Sequence, residues 1–192
     1  MSKKYAIIAL TGIAAVLAAA PSSKAAVTAA NNYKQGKVYK ITPKSKPFKN
    51  KYVKAPTYNK KTRTYFTIRS YMEKFQKAKK GTLVLKKGTY KITNTIQVPS
   101  NVTIILEKGA KIVKSNQTGT KKMKAATTIF QLIKPSNREK SNVYGGHNGE
   151  KNIHFVGKGS NVMDLKYLKA NIAIVMGHNK DITVSGITFQ NV

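Results

Sequence analysis

Residues 81–113, GTLVLKKGTYKITNTIQVPSNVTIILEKGAKIV, constrain the fold more than any other part of the chain. Apolar residues alternate along short runs: Leu83 and Leu85, Tyr90 and Ile92, Ile96 and Val98, then Val102, Ile104 and Leu106. Period-two alternation over so few residues predicts half-buried strands, because successive side chains of a strand point to opposite faces. Lys87-Gly88, Pro99-Ser100-Asn101 and Lys108-Gly109 interrupt the runs with residues suited to tight turns. Short strands punctuated this evenly suit a sheet that coils on itself.

The rest of the chain divides around this stretch. Residues 1–25 read as a secretory signal peptide, with Lys3 and Lys4 ahead of an apolar run from Tyr5 to Ala20 and a small-x-small site at Ser23-Lys24-Ala25. The alternative for this segment is an uncleaved N-terminal anchor. Cleavage after Ala25 removes three lysines and no acid, which lowers the formal charge of +30 to +27. Residues 26–62 hold ten lysines, no acid and three prolines, Pro43, Pro47 and Pro56. Their apolar residues lack a period, which predicts an extended, poorly ordered basic linker, either a tether to an anionic polymer or a solvated spacer. From Arg63 to Lys79 the pattern is helical, with Ile68, Met72 and Phe75 on one stripe flanked by Phe66 and Tyr71. Thr64 or Thr67 is the expected start, Gly81 the expected stop, and Glu73 with Lys77 the expected i,i+4 pair. A helix at 63–80 placed before a coiled sheet, which occupies 81–192, is expected to cap the open end of its core.

Beyond Val113 a polar excursion, 114–124, precedes a strand at Ile129–Ile133 and a loop from Pro135 to Gly149. One pattern recurs. Asn101-Val-Thr-Ile, Asn152-Ile-His-Phe and Asp181-Ile-Thr-Val each set Asn or Asp before alternating apolar residues, with Gly109, Gly157 and Gly186 following. Asn and Asp tolerate left-handed backbone angles, so the pattern predicts one corner repeated on successive coils. The unequal intervals are consistent with loops inserted on one side of a repeating architecture.

The run G-T-L-V-L-K-K-G-T-Y-K-I followed by I-x-V-P-S-N-V-T-I-I-L resembles the opening of the pectate-lyase-like right-handed parallel β-helix superfamily. Gly81, Thr82, Gly88, Thr89, Tyr90, Pro99, Ser100, Asn101 and Val102 carry the likeness. Tyr144-Gly145-Gly146 through Asn152-Ile153, and Met176 through Ile182, look like later coils of a secreted branch similar to polygalacturonase-type hydrolases. The resemblance covers roughly 62–192. It implies an all-β, right-handed parallel β-helix with an N-terminal capping helix, truncated after the first few coils. It also implies a carbohydrate-directed activity whose catalytic residues sit on later coils. It makes His178 a candidate groove residue, and Ca²⁺ enters only by analogy with the family's lyases.

Chemistry inside the chain is sparse. There are 36 lysines and arginines against six acids: Glu73, Glu107, Glu139, Glu150, Asp164 and Asp181. None forms the close carboxylate pair that glycoside hydrolysis requires. His178 and Asp164 are the candidate catalytic residues, and Tyr144, His147, Asn148 and Asn179 the candidate substrate-binding residues. His147, His154 and His178 lack a metal-ligand spacing, and His154 is expected at the surface. There is no cysteine, hence no disulfide framework and no thiol chemistry; in an exported chain this fits a Gram-positive surface. So basic a chain expects an acidic partner. Export and the absence of a nucleic-acid-binding motif disfavour nucleic acid, and no segment after the leader suits a membrane. The expectation is a secreted or wall-associated protein that acts on or binds acidic polysaccharide. The alternative is a non-catalytic surface protein for anionic wall polymers or host glycans.

Overall fold

A computed structural model describes residues 32–140, 149–167 and 172–192. Residues 1–25, the expected signal peptide, lie outside them, as do Tyr144, His147 and Asn148.

The described chain is strand-rich and its pairings are parallel. Twelve strands form three sheets. The first sheet holds β1 (Val38–Ile41), β2 (Gly81–Leu85), β5 (Val102–Leu106), β8 (Lys151–Gly157) and β11 (Lys180–Ser185), in that spatial order. The second runs β3 (Gly88–Ile92), β6 (Ala110–Lys114), β9 (Val162–Asp164), β12 (Thr188–Gln190), and the third β4 (Ile96–Gln97), β7 (Phe130–Gln131), β10 (Ile174–Val175). From β2 onward the chain visits first, second and third sheet in a fixed cycle. Each circuit lays its strands beside those of the circuit before.

The alternation seen in the sequence sets which side chains meet. Leu83, Ile104 and Phe155 are mutual register partners and all lie in the buried core. Tyr90 and Ile112 pair likewise in the second sheet, and Ile96 and Phe130 in the third. Parallel strands covered on both faces lose their amphipathic appearance, and this applies to β2 and β5, which are buried at every position. Of their outward residues, Thr82 and Thr103 are covered by the segment before β1. Gln35 N–H donates to Thr82 Oγ1 at 2.7 Å, and the Gln35 amide reaches Asn152 O at 3.0 Å. Thr103 Oγ1 donates to Tyr33 O, and the Tyr33 ring lies 4.6 Å from that of His154.

That arrangement corrects the expectation for 26–62, of which residues 32–62 are described. They are not an unpaired linker: β1 adds a strand beside β2, and a short helix, α1 (Asn50–Val53), buries Tyr52. Scattered apolar residues were enough, because Ile41, Pro47 and Tyr52 each land in a preformed surface rather than on one face of a regular element. Side chains of the following helix hold the connection, with Phe48 N–H donating to Ser70 Oγ at 2.8 Å and Thr67 Oγ1 to Ser45 O at 3.0 Å.

That helix, α2 (Arg63–Ala78), packs against β2, β3 and β4. It starts at Arg63, ahead of both Thr64 and Thr67, the threonines expected as caps. Thr62 precedes it without capping it, and its hydroxyl donates instead to Thr57 O at 2.8 Å. Lys79, in a left-handed conformation at φ 62°, ends it ahead of Gly81. Gly81 has a different duty: a Cβ there would overlap the Phe75 ring, so the helix can sit this close only over a glycine.

Candidate functional site

The recurring corner is built as its residue types require. Asn101, Asn152 and Asp181 take left-handed conformations at φ 59°, 56° and 56°. They immediately precede the aligned residues Val102, Ile153 and Ile182, so they stack. Asn152 Nδ2 donates to Asn101 Oδ1 at 3.0 Å and to Gln35 Oε1 at 2.9 Å. With that nitrogen committed, His154 Nε2 donates to Asn152 Oδ1 at 2.7 Å. His154 is therefore buried beneath Tyr33 rather than at the surface. Burial pushes its imidazole below the ordinary histidine range, against the raising effect of the Asp181 charge.

The candidate catalytic residues occupy separate connections. Asp164 ends β9 and is buried. It accepts from Asn191 Nδ2 at 2.6 Å and from Lys166 N–H at 3.1 Å, and pairs with Lys111 Nζ at 3.0 Å. Burial alone would raise its pKa, but these donors and the Lys111 charge outweigh it and hold the carboxyl below the ordinary aspartate range. A carboxylate so committed is a poor proton donor near neutrality. His178 lies between β10 and β11, exposed, at φ 53°, its carbonyl against Gly149. Asn179 has its amide engaged with backbone: Nδ2 donates to Leu132 O at 3.1 Å and Glu150 O at 2.9 Å, and Oδ1 accepts from Gly177 N–H at 2.8 Å. Of the candidate residues described, Asp164 and Asn179 thus hold turns together.

Four of the five remaining carboxylates are similarly employed; Asp181 is exposed at its corner. Glu150 is buried and accepts from both Ser100 N–H (2.6 Å) and Ser100 Oγ (2.7 Å). Glu107 pairs with Lys86 at 2.6 Å, and Glu139 with Arg138 at 2.8 Å. Glu73 pairs with Arg69 at 2.9 Å, Arg138 at 3.4 Å and Lys51 at 3.6 Å, and accepts from Tyr52 Oη. The helical partner is thus Arg69, one turn before Glu73, in place of the expected Lys77. Burial opposes ionisation of Glu73, yet the Tyr52 and Arg69 hydrogen bonds and the cations around it keep its pKa below the ordinary value. Burial, then the Glu73 hydrogen bond and charge, push Tyr52 up. A shallow hollow of about 440 Å³ opens beside this node, lined in part by Arg69, Gln76, Ser136 and Arg138.

Among the described residues, no group of three or more acidic, histidine or cysteine side chains is placed to hold a metal ion. Ca²⁺ takes six to eight oxygen ligands. Carboxylates spread over separate elements, five of the six engaged with lysine, arginine, serine or asparagine, do not fit that requirement, so no step is assigned to Ca²⁺.

Sequence reasoning missed the most unusual cation. Lys114 is buried at the end of β6, its Nζ donating to Thr93 O at 2.8 Å, Ser115 O at 2.7 Å and Ile92 O at 3.4 Å. Burial brings its pKa down to about 8. The signal was present: Ala110, Ile112 and Lys114 alternate, which aims Lys114 inward.

Compared with protein-family models, with curated proteins and with solved structures, the chain matches none. Its class therefore rests on architecture: a strand-rich protein of parallel sheets with few helices.

Proposed function

We propose that this chain is a pectate-lyase-like right-handed parallel β-helix, exported to the cell surface, that binds acidic polysaccharide without cleaving it through the residues described. The cyclic order of the three sheets and the stacked Asn101–Asn152–Asp181 corner support the coiled architecture. With α2 against β2, β3 and β4, the helix takes the place of an N-terminal cap. The carrying observation is the asymmetry of charge. Glu73, Glu107, Glu139, Glu150 and Asp164 are engaged in ion pairs or hydrogen bonds within the fold, whereas lysines remain exposed over much of the surface. Such a surface attracts a polyanion at long range and has no paired carboxylates to hydrolyse it.

The test is co-sedimentation with polygalacturonate across a salt series, with unsaturated and reducing sugar measured in the same tubes. Saturable binding that weakens as salt rises, with no sugar released, is the expected result. Turnover abolished by Asp164→Asn or His178→Ala would overturn the non-catalytic reading. Absence of binding at low salt would overturn the polysaccharide reading altogether.

A further inference from the structure

β1 stands at one end of the first sheet, and its second edge is open. Thr82 N–H donates to Lys37 O at 3.1 Å and Lys86 N–H to Ile41 O at 2.9 Å, which turns the backbone groups of Lys37, Tyr39 and Ile41 towards β2. Neighbouring residues of a strand present their N–H and C=O to opposite edges, so those of Val38 and Lys40 point away from the sheet. Among the described residues no strand pairs with that edge, and no hydrogen bond takes up the N–H or C=O of Val38 or Lys40. Such an edge is a template for another strand. Beside it lies an aromatic surface that carries cations. The Tyr39 ring is 5.3 Å from Tyr71 of α2 and 6.2 Å from Phe48, and Phe48 is 44% exposed. Lys74 Nζ lies 3.8 Å from the Phe48 centroid and 5.4 Å from that of Tyr39, and Lys37 Nζ lies 5.6 Å from Tyr39. Attraction to the ring faces holds both ammonium groups there. Neither has a carboxylate partner among the described residues.

We propose that the open edge of β1 is a docking site for an extended acidic segment of another protein, which joins the first sheet as a further strand. The proposal does not depend on the polysaccharide reading above. The free N–H and C=O groups recur at every second residue, roughly 6.6 Å apart, the interval at which a peptide backbone offers its own. A glycan has no such row of alternating donors and acceptors. Alternate side chains of an added strand fall on the Tyr39 side, where carboxylates meet Lys37 and Lys74 and their methylene stems meet the rings. A second copy of this chain is a poor occupant. Edge-to-edge pairing would set Lys37 and Lys40, both exposed, against the same lysines of the other copy, and like charges on an edge oppose that pairing.

The test titrates the full chain into a fluorescently labelled octapeptide of alternating glutamate and valine and reads anisotropy at about 150 mM salt, where long-range attraction is screened. Two further peptides keep the sequence and the charge but are N-methylated, one at every valine and the other at every glutamate. Whichever set of amides faces β1, methylating it should weaken binding by about tenfold or more, since several backbone hydrogen bonds go together. On the protein side, Val38→Pro deletes one donor from the open edge and leaves the charge unchanged; an edge strand tolerates proline there. With an unchanged melting temperature it should bind about threefold more weakly or worse. Lys37→Gln combined with Lys74→Gln should cost about threefold or more through the lost ion contacts. Both methylated peptides bound as tightly as the unmodified one would reduce the surface to charge and overturn strand addition. No saturable binding of the unmodified peptide would overturn the proposal as a whole. Polygalacturonate affinity that falls in the double lysine variant as far as the peptide's does would put a polysaccharide on this surface and overturn the peptide assignment.

Discussion

At the scale of single residues, two side chains carry more of the structure than their chemical types suggest. Lys114 is an ammonium group inside a core, and its three carbonyl partners do not depend on it equally. Ile92 O and Thr93 O already accept from Ser115 N–H and Ala126 N–H. With a pKa of about 8 in the folded protein against 10.5 unfolded, the unfolded chain binds the extra proton between those values. The penalty from Lys114 is therefore full below about pH 8 and is relieved as pH climbs from 8 towards 10.5. Denaturant melts of the parent and Lys114→Met across that range should differ, the parent gaining on the order of 1–3 kcal/mol more than the variant. Parallel curves would show that Lys114 keeps its proton. Asn152 tests the corner. Asn152→Ala places alanine at φ 56° and deletes the bonds to Asn101, Gln35 and His154, a loss of about 2–4 kcal/mol. Asn152→Gly keeps the backbone conformation and should recover about 1 kcal/mol of it. A glycine variant no more stable than the alanine variant would place the whole effect in the side-chain bonds.

At the scale of elements, the strands between Gly81 and Lys114 are the part most legible in the sequence. Leu83, Leu85, Tyr90, Ile92, Ile96, Val98, Val102, Ile104 and Leu106 all belong to the buried core, as their alternation required. Ile104 lies between Leu83 and Phe155. Ile104→Ala should cost about 2–5 kcal/mol in a chemical melt, because neighbours held in register on both sides cannot collapse into the space. A melt indistinguishable from that of the parent would mean that Thr103 and Ile105 face the core instead. The helix was legible in its apolar stripe but not at its ends or in its ion pair. Thr62 owes its role to the connection before α2; Arg69 with Glu73 is an i,i+4 pair as local as Glu73 with Lys77, while Arg138 reaches the same carboxylate from a distant turn.

At the scale of the whole molecule, charge dominates. A formal net charge of +30 on 192 residues sets most surface pairs against each other. Raising ionic strength from about 10 mM to 150 mM shortens the screening length from roughly 30 Å to 8 Å. The melting temperature should rise by several degrees over that interval, and a flat or falling curve would mean that the ion pairs at Glu73, Glu107 and Asp164 outweigh the repulsion. Polygalacturonate should raise it further at low salt and lose that effect at high salt.

What the sequence determined by itself is local. Alternation assigned the strands, turn chemistry their ends, and Asn or Asp before each apolar run the left-handed corner, since these depend on residues adjacent in the chain. Only the tertiary structure decided the rest. Residues 32–62 had no period to read, yet Gln35 spans circuits 47 and 117 residues away and β1 extends a sheet. Asp164 and Asn179 had the chemistry of a site, yet their partners, Lys111, Asn191, Leu132 and Glu150, reach them only through stacking.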